Sequence, residues 1–281
     1  MGIRGDGMIY DVEGNALFSV FDVDGEPLVQ CYDVDGTAIE VDIPAFLDTA
    51  VLTALPNVYI GGVAQGSCTD GEYLYQCVGD STHYTYMQIV KYKISDGTYT
   101  IQRYEGTPNF GHANDMAYNP NNGYLYIATM LSNGAVVVID ATDMTYVDTI
   151  YAKNGLDEPY AVWQICFNRD TDEFLSAYNN DYYVYDQNWD LKRIISADAR
   201  ISATQQGCDT DGKFIYRVTY NPNRIDVVTM RGDKVKVITN PMSNEPEDIM
   251  YDWDGHFYMS KHTSSAETSR TLFYATQLFE T

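Results

Sequence analysis

From about residue 55 to the end, short runs of Val, Ile, Tyr, Phe and Thr alternate with Gly, Asn and Asp turns. No long segment with a 3.6-residue period follows, so the pattern predicts strands and not helices. The runs align on one recurring turn. Gln65-Gly66-Ser67-Cys68-Thr69-Asp70-Gly71 leads into Tyr73-Leu74-Tyr75, and Gln206-Gly207-Cys208-Asp209-Thr210-Asp211-Gly212 leads into Phe214-Ile215-Tyr216. Equivalent stretches begin at 114, 163 and 247, giving spacings of 49, 49, 43 and 41. The other units supply two further strands each, such as Ala135–Ile139 and Tyr146–Ile150. Four strands repeated every 40–50 residues are the signature of a β-propeller. The expectation is an all-β, five-bladed propeller over 55–281. Its last unit lacks a fourth strand, so closure should borrow Val51–Leu55 or Val58-Tyr59-Ile60. Residues 44–54 read as a linker or short helix.

A second, shorter repeat precedes it. Tyr10-Asp11-Val12-Glu13-Gly14, Phe21-Asp22-Val23-Asp24-Gly25 and Tyr32-Asp33-Val34-Asp35-Gly36 recur every 11 residues. Asp-Gly between apolar residues signals hairpins, so 1–43 reads as a small β-repeat segment. It carries ten acids and one base. Three such units cannot close a core alone, which suits attachment or homo-trimerisation. The Asp-x-Asp-Gly spacing invites Ca2+, but the bidentate Glu of a calcium loop is missing in register, so turn chemistry is the leading reading and no cofactor is expected.

The segment His112-Ala113-Asn114-Asp115-Met116-Ala117-Tyr118-Asn119-Pro120, with Gly123–Ala128 and Val136–Asp140, resembles a blade of the YVTN/NHL-like propeller repeats. That resemblance implies the fold and leaves the function open, since such propellers host many activities. The YDVDG-type repeat ahead of a propeller also resembles tail-fibre or tip proteins of bacteriophages. This second likeness implies a virion setting with other virion proteins as partners.

Charge narrows the partners. The 281 residues carry 40 acidic and 17 basic side chains, a net charge of −23. Such a surface repels phosphate backbones and anionic lipid, so neither nucleic acid nor membrane insertion is expected. No apolar run reaches the ~20 residues of a membrane span, and the N-terminus shows no signal peptide. A virion or the cytoplasm is the expected location. Five widely spaced cysteines without a CxxC pair argue for reduced thiols rather than disulfides or zinc.

In a propeller, the loops ahead of the first strands share one face with those between second and third strands. Here they carry His112, Asn114, Asp115, Tyr160, Trp163, Gln164, Gln206, Glu247 and Asp248, then Tyr178, Asn179 and His262. Amides, carboxylates and rings on one rim suit a sugar, whose hydroxyls take polar partners and whose C–H faces stack on rings. The structural alternative is that Asp115 only braces the blade start, with His112 satisfied beside it. The leading expectation is a non-catalytic module that recognises a cell-surface glycan or protein. A glycoside hydrolase or lyase using Asp115 with Glu247 or Asp248, and a purely structural virion component, are the alternatives. Four histidines without HxH or HExxH spacing predict no metal.

Overall fold

The computed structural model describes residues 43–79, 86–154, 156, 158–178, 181–196, 204–262 and 270–280, with six short strands before residue 41. Two compact units divide the chain: Met1–Ala45 with Phe279–Thr281, and Phe46–Leu278. In the first, β1 (Gly2–Ile3) pairs with β2 (Ile9–Tyr10), β3 (Val20–Phe21) with β4 (Pro27–Leu28), and β5 (Gln30–Tyr32) with β6 (Ala38–Glu40), all antiparallel. The three acidic Asp/Glu-x-Gly turns, and the calcium reading attached to them, lie outside the described residues.

The second unit is built from antiparallel meanders. One sheet holds β8 (Val63–Thr69), β9 (Tyr73–Gly79), β10 (Tyr86–Lys93) and β11 (Tyr99–Glu105). The next holds β12 (Asp115–Asn119), β13 (Tyr124–Ala128), β14 (Ala135–Asp140) and β15 (Tyr146–Tyr151). A third holds β16 (Gln164–Asn168), β17 (Glu173–Tyr178), β18 (Asp181–Tyr185) and β19 (Leu191–Ser196). Then follow β20 (Thr204–Thr210), β21 (Phe214–Tyr220), β22 (Arg224–Thr229) and β23 (Lys234–Thr239). The last group is β24 (Pro246–Tyr251), β25 (Phe257–Lys261) and β26 (Phe273–Phe279), flanked by β7 (Phe46–Ala54).

Residues 46–54 are therefore a strand and not a helix or linker. β7 lies beside β26, and Val51–Ala54 falls within it, so the missing strand comes from ahead of the first repeat. A parallel bridge, Thr239 to Thr49, joins β7 to β23, and Lys236 Nζ reaches the Asp48 carboxylate at 2.6 Å. The last two groups thus form one eight-stranded sheet. The sequence leads one to expect five blades; among the described residues of this unit the sheets number three of four strands and one of eight, while the first strands number five.

Those first strands neighbour one another in a cycle. β8 lies beside β12, β12 beside β16, β16 beside β20, β20 beside β24, and β24 beside β8. The result is a closed, propeller-like ring.

Local chemistry explains the repeat. Asp70 Oδ1 accepts from the backbone N–H groups of Glu72 and Tyr73, and its Oδ2 from the Tyr75 hydroxyl. Asp211 repeats this with Lys213, Phe214 and Tyr216. One carboxylate thus pins the turn and the following strand. Apolar layers fill the space between successive sheets. Met87, Ile89, Leu125 and Val137 pack between the first and second, and Tyr126, Val136, Phe167 and Phe174 between the second and third. Inner strands are buried on both faces, which is why β14 reads as a near-continuous apolar run. Tyr75, Tyr92, Tyr182, Tyr185 and Tyr216 are fully buried, so much of the tyrosine content serves the core.

Candidate functional site

The centre of the ring is closed by two carboxyl groups. Asp115 Oδ1 accepts from the N–H of Met116 at 2.7 Å, and its Oδ2 from those of Ile165 and Cys208 at 2.8 and 3.0 Å. Asp248 Oδ2 accepts from Ser67 at 2.7 Å, and its Oδ1 from Ile249 at 2.8 Å. Each of the five first strands thus sends one N–H to the pair. The two side chains are fully buried and hydrogen-bonded to each other. Burial drives both carboxyls up; the neighbouring Asp115 raises Asp248 further, whereas backbone N–H groups and Asp248 oppose the rise of Asp115. Gly66 and Gly207 are needed for this arrangement. A Cβ on Gly66 would overlap the Asp115 backbone, and one on Gly207 the Asp248 carboxyl.

Directly before the hub positions come Gln65, Asn114, Trp163, Gln206 and Glu247, of which Trp163 alone is partly exposed and the rest are buried. The β8–β9, β20–β21 and β24–β25 pairings shift register here, between Ala64 and Ser67, Gln205 and Cys208, and Pro246 and Asp248. Such bulges turn side chains out of the ladder. Asn114 donates to the Trp163 carbonyl at 2.7 Å, and Gln164 to the Gln206 carbonyl at 2.5 Å. Gln206 in turn donates to Glu245 Oε1 at 2.6 Å. His262 Nδ1 lies 3.3 Å from Glu247 Oε1, and its backbone N–H donates to the Glu245 carbonyl at 2.7 Å. His112 stands in a tight turn completed by Ala113, whose φ of 52° is costly for a residue with a side chain. The Ala113 carbonyl accepts from Gly66, tying the turn to the neighbouring first strand.

The electrostatics of this mouth are set by burial. Desolvation pushes Glu247 up to about 7, with Glu245 adding to the rise and His262 opposing it. The Glu247 carboxylate raises the His262 imidazole in return. His112 is lowered, by burial first and by His262 second.

Of the residues singled out from the sequence, His112, Asn114, Trp163, Gln206, Glu247 and His262 come together here. Gln164 braces the mouth from below, and Asp115 and Asp248 form its sealed floor. Tyr160 does not join them: it lies in the layer between the second and third sheets, where its hydroxyl donates to Ser176 Oγ and meets that of Tyr185, both at 2.9 Å. Tyr178 ends β17. Asn179 lies outside the described residues. Glu245 escaped the sequence reading because alignment on the turn starts two residues later; the acidic string Glu245-Pro246-Glu247-Asp248 was the available signal.

Just past the hub, the half-buried Asp209 is pushed up to about 7 by desolvation, although its carboxylate accepts from Tyr251 and Thr210. A cavity of about 560 Å3 opens elsewhere, between the first two sheets. Tyr73, Lys91, Lys93 and Tyr99 line it, with none of the expected site residues, and the Lys91 amine is already held by the Ala141 carbonyl at 2.7 Å.

No protein-family model and no curated protein sequence matches the chain. Solved structures do. The glutaminyl cyclase of Myxococcus xanthus is similar with a TM-score of 0.58 at 11% identity, over 84% of this chain and 99% of that one. A structural genomics protein of unknown function from Bacteroides thetaiotaomicron gives 0.53 at 10% identity, over 86% and 80%. At such identities the likeness extends to the propeller-like fold alone.

Proposed function

We propose that this protein is a non-catalytic binding module, a five-bladed propeller whose mouth above the hub recognises a cell-surface glycan or protein. In this reading the acidic N-terminal repeats attach it to other proteins of a phage tail. The observation that carries the proposal is the division of labour at the ring centre. Asp115 and Asp248 are consumed in holding five first strands together, while the partly exposed His112, Trp163 and His262 stand above them with the buried Gln206 and Glu247. A hydrolytic carboxyl pair needs about 5–9.5 Å between its members for a sugar or water. Two carboxyls that share a hydrogen bond inside a sealed floor leave no such space.

A glycan array and a host-cell binding assay on the full chain test the proposal, repeated with His112→Ala and Trp163→Ala. Loss of ring stacking should weaken binding roughly two- to tenfold, from about 0.5–1.5 kcal/mol per aromatic contact. Equal binding by both variants would remove the site assignment. No binding to any glycan or cell by a folded chain would favour a structural virion component.

A further inference from the structure

We propose that the mouth also holds a divalent transition-metal ion, zinc by preference, on Glu245, Glu247 and His262. The proposal goes beyond the binding reading and does not depend on it. One ligand atom from each of the three residues lies within 4.8 Å of the other two. Zinc bonds to carboxylate oxygen and imidazole nitrogen are about 2.0–2.2 Å long, so an ion fits between them with small side-chain adjustments.

A second observation points the same way. Glu247 is only 2% exposed, and its sole hydrogen-bond or ion-pair partner among the described residues is His262, on Oε1. Its Oε2 receives no hydrogen bond among the described residues. Asp115 and Asp248, equally buried, both accept backbone N–H groups. Burying a carboxylate that accepts no backbone N–H is costly, and placing Glu245 beside it adds like-charge repulsion. A cation relieves both. The nearby Arg270 guanidinium donates to the carbonyls of Gly62 and Ile60.

The donor set selects the metal. One imidazole and two carboxylates suit zinc or a similar first-row ion, whereas calcium and magnesium favour all-oxygen shells of six or more ligands. Gln206, donating to Glu245, orients one ligand from outside, as outer-shell partners do. Three protein ligands leave a coordination position open toward the mouth, where a hydroxyl or carboxylate of a bound molecule would complete it.

Calorimetric titration of the chelator-treated full chain with zinc chloride tests the assignment, with calcium and magnesium in parallel. The expected result is one zinc per chain. Glu245→Gln and His262→Gln, checked for folding by thermal melts, should each weaken it by at least the roughly 10–100-fold that loss of an outer-shell partner causes. Anomalous scattering at the zinc edge should place the ion on the three residues. No zinc uptake, uptake unchanged in both variants, or an anomalous peak elsewhere overturns the proposal. Because the metal alone is the probe, the outcome is separate from that of the glycan array.

Discussion

The two hub carboxyls differ in how many backbone donors they satisfy, and that difference predicts an asymmetry between two conservative substitutions. Asp115 accepts three N–H groups and Asp248 two. A single shared proton is best placed on Asp248, which has fewer backbone donors, leaving the charge on Asp115, which has more. Asp248→Asn mimics the proton-bearing partner: the amide donates toward an ionised Asp115, and one N–H loses its acceptor. That costs about 1–3 kcal/mol. Asp115→Asn forces the charge onto Asp248, which has one fewer backbone donor. A hydrogen bond to a charged group is worth about 1.5–3 kcal/mol, so the cost rises to about 3–6 kcal/mol. Asp115→Ala strips acceptors from three buried N–H groups on three first strands. Its cost of about 3–9 kcal/mol is comparable with the whole stability of a domain. Urea unfolding at neutral pH, followed by tryptophan fluorescence, ranks the three. Asp248→Asn proving as damaging as Asp115→Asn would refute the proton assignment. If Asp115→Ala proved mild, the hub would not be what joins the strands.

Two further outcomes follow from the same chemistry. Glu247 and Asp209 are both raised to about 7, so the folded chain keeps protons that the unfolded chain releases from about pH 4 upward. Their contribution is therefore complete below about pH 4 and lost as pH rises through about 7, worth at most about 3 kcal/mol for Glu247. His262 acts in the same direction and His112 against it. The melting temperature should be higher near pH 5.5 than near pH 8, with a shallower slope in Glu247→Gln; a rise across that range would contradict the burial argument. Tyr160→Phe should cost about 0.5–1.5 kcal/mol in urea unfolding, from the hydrogen bonds to Ser176 and Tyr185, and leave glycan and zinc binding unaltered. A binding defect in that variant would return Tyr160 to the site.

Strand content, repeat spacing and turn chemistry were all legible in the sequence, because each is enforced within a few residues. Asp70 and Asp211 bond to backbone and hydroxyl groups two to five positions away, and the apolar runs report strands buried on both faces. That residues ahead of successive first strands neighbour one another was also legible, since a repeat aligned on one turn places equivalent positions at equivalent heights; Asn114 reaches the Trp163 carbonyl. What lay beyond the sequence depends on contacts between distant segments. Phe46–Ala54 has no strong pattern of its own and becomes a strand because β26 offers it an edge. Asp115 and Asp248, 133 positions apart in the sequence, read equally well as catalytic acids or braces until the ring brings them together and five N–H groups claim them. Gly66 and Gly207 look like turn residues, but their lack of a side chain makes room for those carboxyls. Local bonding decides the elements of this chain; closure of the ring decides which of its acids are sealed in the floor and which remain at the mouth.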